Sequence, residues 1–206
     1  MTYWRQQLQS TPTALPIAVF IMGLVLSGLS ALSMQRAVHE SALGEFQRLS
    51  ARTVSEINMR FSLTVAGLSG TRALFPASQS VERGEFRAYV ASRNLAQELP
   101  GVRGLGYIAH VKRADVDAFV AKEQKDEAPQ FAIRQLTDQT HDDLYVIKFI
   151  EPTANNAGTM GLDVGSEPVR RAGAQAAADT GMPTITGAIT LVQDSKKTPG
   201  VLMFLP

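Results

Sequence analysis

The side chains with chemical potential in this chain are few and scattered. His39, His110 and His141 lie far apart and there is no cysteine, which removes disulfides, thiol nucleophiles and a zinc site of the usual His/Cys kind. His141-Asp142-Asp143 groups an imidazole with two carboxylates and reads either as a metal or acid–base cluster or as a solvated loop. Arg170-Arg171 stands near a helix start, where it can bind an anionic ligand or form a surface ion pair. No GxSxG elbow, phosphate loop, HExxH or dinucleotide fingerprint is present. No catalytic residue, metal ligand or cofactor is therefore predicted, and whether a longer protein is an enzyme stays open.

A binding site is easier to read than a catalytic one. Leu144 to Ile150, LYVIKFI, is the strongest strand signal in the sequence, being aromatic and β-branched over its length. Strict alternation puts Tyr145, Ile147 and Phe149 on one face and Val146, Lys148 and Ile150 on the other. The aromatic face suits an apolar cavity with a few polar groups, the usual construction of a small-molecule site, and equally suits ordinary core. Asp163, in Leu162-Asp163-Val164-Gly165-Ser166, either caps backbone N–H groups or contacts a ligand.

The elements that must position these residues follow from pattern and punctuation. Gly104 to Val111, Phe131 to Leu136 and Leu144 to Ile150 read as strands; Ile185 to Val192 and Gly200 to Pro206 read as a hairpin across a charged turn at Gln193 to Thr198. Short helices are predicted from Val81, capped by Ser80, from Lys112 to Gln124, and from Pro168 to Asp179, capped by Ser166 and closed by Gly181. The fold class is α+β, a PAS-like mixed or antiparallel sheet with flanking helices.

Ahead of that domain lies Ala14 to Met34, 21 residues without Asp, Glu, Lys or Arg. As a helix it spans about 31 Å, close to a bilayer's hydrocarbon core. A cleaved signal peptide and a soluble core helix are the competing readings; the length and the uninterrupted charged helical pattern that follows favour a transmembrane helix. Gly23, Ser27, Ser30 and Ser33 form a small-residue face suited to a second span. From Gln35 to about Phe75, Leu43, Phe46, Leu49, Val54, Ile57, Phe61, Val65 and Leu68 recur near helical spacing, and no proline occurs between Pro16 and Pro76. This predicts an amphipathic stalk helix. The organisation is a tail at 1–13 with Trp4 and Arg5 at the interface, a transmembrane helix at 14–34, a stalk at 35–75 and a domain at 76–206. VLMFLP at the end reads as a strand just begun, so a longer protein is expected. A net charge of +1 without a basic stripe gives no case for nucleic acid.

Arg72-Ala73-Leu74-Phe75, Glu85-Phe86-Arg87 and Leu99-Pro100-Gly101-Val102-Arg103-Gly104-Leu105-Gly106-Tyr107 resemble the opening of a CHASE domain. The resemblance continues through Tyr145-Val146-Ile147, Glu151-Pro152, Gly161-Leu162-Asp163, Arg170-Arg171-Ala172, Thr180-Gly181 and Gly200-Val201-Leu202, about 135 residues in the family's order. It implies an extracytoplasmic sensor of a histidine kinase or a nucleotide cyclase such as a diguanylate cyclase, with two PAS-like sheets after a long helix. It also implies that Asp163 matches an aspartate that hydrogen-bonds a purine-like ring in plant cytokinin receptors, and that Thr180 resembles a threonine important to signalling. Met203 stands where those receptors carry a ligand-contacting threonine, which puts cytokinin itself in doubt.

The expectation is thus a membrane-anchored small-ligand sensor of a two-component or cyclase system in the inner (plasma) membrane. Its N-terminus is cytoplasmic, its sensory domain periplasmic, and it is homodimeric through stalk and span. The ligand-binding set is Tyr145, Ile147, Phe149, Asp163, Thr180 and Met203. The alternative is a membrane-tethered structural or protein-interaction module without a small-molecule ligand.

Overall fold

The computed structural model describes residues 14–192 and 198–206. The predicted tail with Trp4 and Arg5, and residues 193–197 of the predicted charged turn, lie outside the described residues. The chain divides into two compact units, Met1–Ile57 and Asn58–Pro206.

Helix α1 is Ala14–Ala77. In the first unit its segment Leu15–Arg36 is long and apolar enough to cross a membrane and none of it is buried. Twelve large apolar side chains between Leu15 and Met34 are each more than half exposed, a surface that water does not tolerate well in a contiguous patch. At its other end α1 runs two residues past the predicted stop at Phe75 and takes Pro76 into its last turn. The amide of Ser78 still reaches the carbonyl of Leu74 at 3.2 Å, so the turn closes without a proline N–H.

The second unit is built on a four-stranded sheet. Strands β1 (Leu105–Lys112), β2 (Arg134–Gln135), β3 (Asp143–Glu151) and β4 (Leu162–Asp163) take the order β1-β3-β4-β2. β1 and β4 run antiparallel to β3, whereas β2 pairs parallel with β4, so the sheet is mixed. The predicted strand from Phe131 to Leu136 shrinks to two residues. Phe131 instead closes a turn onto the Ala128 carbonyl at 2.8 Å and packs edge-on against Phe119.

Helices α2 (Arg83–Ala91), α3 (Leu95–Glu98) and α4 (Val116–Lys125) precede β2; α5 (Thr153–Asn156) follows β3, and α6 (Pro168–Thr180) follows β4. Two predicted caps are replaced. Glu82, not Ser80, precedes α2, and the orphan amide of Arg83 donates to the Asp126 carboxylate at 3.1 Å, so the cap comes from a distant loop. Glu167, not Ser166, caps α6, accepting from the amides of Val169 and Arg170 at 3.0 and 3.1 Å; Gly181 closes the helix as expected.

The predicted C-terminal hairpin is present in interrupted form. β5 (Thr184–Ile185) pairs with β8 (Met203–Phe204), and β6 (Ile189–Thr190) with β7 (Pro199–Gly200). The Thr186 amide donates to the Leu202 carbonyl at 2.9 Å between them. Phe204 packs with Ile147, Leu162 and Val164.

The position of the core departs from strict alternation at one point. Tyr107 pairs with Phe149 but Ile108 pairs with Ile147, so Lys148 is an extra residue in β3, a β-bulge. Paired residues share a face. Leu144, Val146 and Phe149 therefore face the helices α2 and α4, and Tyr145, Ile147 and Ile150 face the other way, towards α6. The clusters agree: Phe149 packs with Phe86, Val90, Leu99 and Leu105, and Val146 with Val111, Leu144 and Phe131. Ile147 packs with Leu162 and Val164, flanked by Ile108, Tyr145 and Ile150. The predicted common face of Tyr145, Ile147 and Phe149 is thus corrected; the bulge moves Phe149 to the opposite side and brings Ile150 in its place.

Candidate ligand face of the sheet

Tyr145 is the centre of the α6 side. Its ring stacks on His110, the residue opposite on β1, with centroids 4.9 Å apart, and the Arg171 guanidinium lies 5.4 Å from it. A ring stacked on an imidazole and within reach of a guanidinium gains both stacking and cation–π attraction. Asp143, one pleat earlier, takes His110 Nε2 at 2.6 Å on Oδ2 and Arg171 Nη2 on Oδ1, while Arg171 Nη1 donates to its backbone carbonyl at 3.3 Å. Those two donors, His110 first, hold the Asp143 carboxyl below its ordinary range. Burial, with the neighbouring Asp143 charge behind it, pushes the Tyr145 phenol up.

Asp163 lies beneath this group, 2% exposed. Its Oδ1 accepts the amides of Tyr145 and Gly165 at 3.0 and 2.9 Å, and its Oδ2 accepts from the Gln135 side chain at 3.4 Å. It therefore joins β3, β2 and the turn Val164–Ser166 from within. Gly165 is required for the close approach, since a Cβ there would lie 2.9 Å from both Tyr145 Cδ2 and Arg171 Nη1. Ser166, freed from capping, donates to the Asp163 carbonyl at 2.6 Å and accepts the Leu136 amide at 2.9 Å.

The predicted site residues separate into groups. Tyr145 and Ile147 share the α6 side, whereas Asp163 pairs with Val146, on the other side of the sheet, and meets Tyr145 through its backbone amide. Phe149 is on the helix side. Thr180 is exposed at the end of α6, donating to the Ala176 carbonyl at 2.6 Å and accepting the Met182 amide at 3.3 Å. Met203 is half-buried on β8, paired with Ile185. The His141-Asp142-Asp143 cluster opens out, because Asp143 turns to His110 and Arg171 while the His141 carbonyl accepts from Arg113 Nε at 2.6 Å. Among the described residues, no group of three or more His, Cys, Asp or Glu is placed to hold a metal. Arg170 is 5% exposed, and its Nη2 donates to the Thr190 carbonyl at 2.7 Å; burial lowers its pKa from the ordinary value. It ties α6 to the C-terminal hairpin and also pairs with Glu167 at 3.2 Å, so the expected ion pair is present but largely buried.

Sequence reasoning missed His110, Ile108, Ile150 and Phe204 as members of this face. Only cross-strand register or tertiary packing brings them there, and neither is visible along one strand. A concavity of about 540 Å³ on the helix side, lined by Arg87, Val90, Arg93, Leu95, Glu151 and Pro152, contains none of the predicted site residues.

The second unit is thus a mixed sheet between helices, and the sequence ahead of it holds a helix long and apolar enough to span a bilayer. The family model of the CHASE domain matches residues 79–206, more than half of the chain, and the chain belongs to that family, the extracytoplasmic sensory domain of receptors. No curated protein matches it.

Proposed function

We propose that this chain is the small-ligand sensor of a membrane receptor whose output domain is a histidine kinase or a diguanylate cyclase. The observation that carries the reading is the α6 side of the sheet in a CHASE domain. There an aromatic ring with a phenol stands on an apolar floor of Ile147, Ile150 and Ile108, with charged groups at its edge. Tyr145, Ile147 and Met203 are the proposed ligand-facing residues, Asp163 joins the proposed ligand set from beside the Tyr145 amide, Thr180 is a signalling residue, and Phe149 acts from the opposite face as support.

In this reading residues 1–13 are a cytoplasmic tail, 14–34 span the inner membrane, 35–75 form the stalk and 76–206 sense outside the cytoplasm. Two copies pair through stalk and span, using exposed Val54, Ile57 and Phe61. A ligand signals only through unequal affinity for two conformations. The test is thermal shift of the full chain in detergent against adenine derivatives, amino acids and organic acids. Saturable stabilisation lost on Tyr145→Ala or Asp163→Asn supports the reading; none across the set rejects it.

One observation favours the alternative, a tethered structural or protein-interaction module. The Asp163 carboxylate is already engaged by three donors of its own chain, so a ligand has to displace at least the long bond from Gln135. The same thermal-shift series separates the two.

A further inference from the structure

The bulge that assigns Phe149 to one side and Ile150 to the other is held by one buried guanidinium. Arg83, in the first turn of α2 and 4% exposed, donates from Nη1 to the Lys148 carbonyl at 2.9 Å. It also donates from Nη2 to Glu123 Oε2 at 3.1 Å and from Nε to the Asp126 carbonyl at 2.9 Å. Lys148 is the extra residue itself, and its Nζ lies 3.0 Å from the other oxygen of Glu123, a side chain with no exposed surface. The Arg83 guanidinium is also 5.2 Å from the Phe149 ring centroid, within cation–π range. That ring stacks on Phe86 at 5.3 Å. A single side chain thus grips both residues on which the irregularity turns.

The alternative arrangement is well defined. Without the bulge, β3 alternates strictly, Tyr107 faces Lys148 and Gly106 faces Phe149. Phe149 then joins Tyr145 and Ile147 beside α6, Ile150 leaves that side, and Glu151 leaves Arg87, to which it is bonded at 3.3 Å. Arg83 loses its Lys148 acceptor and its aromatic partner together. We propose that Arg83, supported by Glu123, sets the register of β3. Through register it decides, from the opposite side of the sheet, which side chains form the ligand face. It is a positioning residue for specificity, and that consequence rests on the ligand reading above, whereas the register claim does not. Lysine cannot replace it, because one point charge cannot serve three acceptors in the plane of a guanidinium fork.

The test reads register without any ligand. The full chain in lipid nanodiscs, selectively isotope-labelled, is examined for cross-strand nuclear Overhauser contacts in wild type, Arg83→Lys and the double variant R83M/E123M. The double variant removes one cation and one carboxylate together and leaves Lys148, whose side chain is 14% exposed, as the one charge that must turn to solvent, which keeps the comparison alive where Arg83→Lys does not fold. Wild type is expected to show Tyr107–Phe149 and Leu105–Glu151 contacts; the variants are expected to exchange them for Tyr107–Lys148 and Gly106–Phe149. Deleting Lys148 from R83M/E123M is expected to restore Tyr107–Phe149, since no extra residue remains. A folded variant that keeps the wild-type pairing, or a deletion that fails to restore it, overturns the proposal. Adenine, L-glutamate and malate serve as binding probes. At least a tenfold loss of affinity in R83M/E123M is expected for a probe that binds wild type, and equal binding despite a shifted register overturns the specificity claim. If none binds wild type, the ligand reading and the specificity claim fall while the register result stands.

Discussion

Asp163 Oδ1 accepts the backbone amide of Tyr145 at 3.0 Å, so the carboxylate proposed to meet a ligand is also the bracket that fixes the ring above it. Removing it leaves the buried amides of Tyr145 and Gly165 without acceptors. An unsatisfied buried donor costs about 1–3 kcal/mol, so Asp163→Ala is expected to lose roughly 2–4 kcal/mol of unfolding free energy and Asp163→Asn about 1, because the amide oxygen still accepts. Urea titration followed by circular dichroism measures both. Equal stability of wild type and Asp163→Ala would refute the bracket.

Acid should loosen the same face through Asp143. Its pKa is held down in the folded state by His110 and Arg171, whereas in the unfolded chain it titrates near 3.9. Between the folded and unfolded values the unfolded state binds more protons, so the stabilisation is fully present above about pH 4 and is lost as pH falls through the folded value. Stability measured from pH 5 downward is expected to fall less steeply in Asp143→Asn than in wild type. Parallel slopes would show that Asp143 carries no part of the acid response.

Gly161 gives a sharper prediction about the sheet. It has φ of +76° and the Cβ of any other residue would lie 2.1 Å from the Ala132 carbonyl oxygen. A left-handed conformation alone costs an L-residue about 1–2 kcal/mol, and here the obstacle is backbone that cannot turn away. The Gly161 amide also donates to the Ile147 carbonyl, and its carbonyl accepts the Arg134 amide, each at 2.9 Å. Gly161→Ala is therefore expected to lose 3 kcal/mol or more, on the order of the largest single-site effects, and to release β2 and β4. Faster hydrogen exchange confined to Arg134, Gln135, Leu162 and Asp163 is the accompanying signature.

Thr180 separates folding from signalling. The residue is exposed, and among the described residues its hydroxyl bonds to Ala176 in its own helix and to Met182 just past the helix end. Thr180→Ala should change stability by about 0.5 kcal/mol or less. If Thr180 acts in signalling, the variant leaves ligand-induced stabilisation within twofold of wild type while reducing output of the full receptor. A large drop in stability would assign it to folding.

How much of this was legible in the chain varies with the range of the interaction. The helix at Ala14–Ala77, the strand at Asp143–Glu151 and the helix at Pro168–Thr180 follow from local pattern, because periodicity, Pro at a helix start and Gly just past its end act within a few residues. Asp163 was legible as a capping carboxylate for the same reason. The caps on α2 and α6 were misplaced where a better acceptor existed: Asp126 arrives from 43 residues away, and Glu167 outcompetes Ser166, which is drawn to the Leu136 amide. The face of Phe149 was illegible. LYVIKFI alternates as well with a bulge as without one, and the deciding contacts belong to Arg83 and Phe86, more than 60 positions earlier.

The membrane reading makes the last prediction. Leu15–Arg36 has a mean hydropathy of 2.3 over its best window, and the candidate span carries no charge between Leu15 and Gln35. A transmembrane helix of this kind resists alkaline carbonate extraction. One arginine at its centre costs about 2.5–3.5 kcal/mol of insertion, so Val25→Arg is expected to move a substantial share of the chain into the extracted fraction, whereas Val54→Arg, beyond the span, leaves it integral. Alkaline phosphatase fused after Pro206 should be active and a cytoplasmic reporter at the same junction inactive. One arginine, Arg5, precedes the span and three, Arg36, Arg48 and Arg52, follow it, so the positive-inside rule does not favour a cytoplasmic N-terminus, and the proposed orientation rests on the extracytoplasmic setting of the CHASE family. Active cytoplasmic reporter after Pro206 would reverse the topology and remove the sensor from the side where an external ligand can reach it.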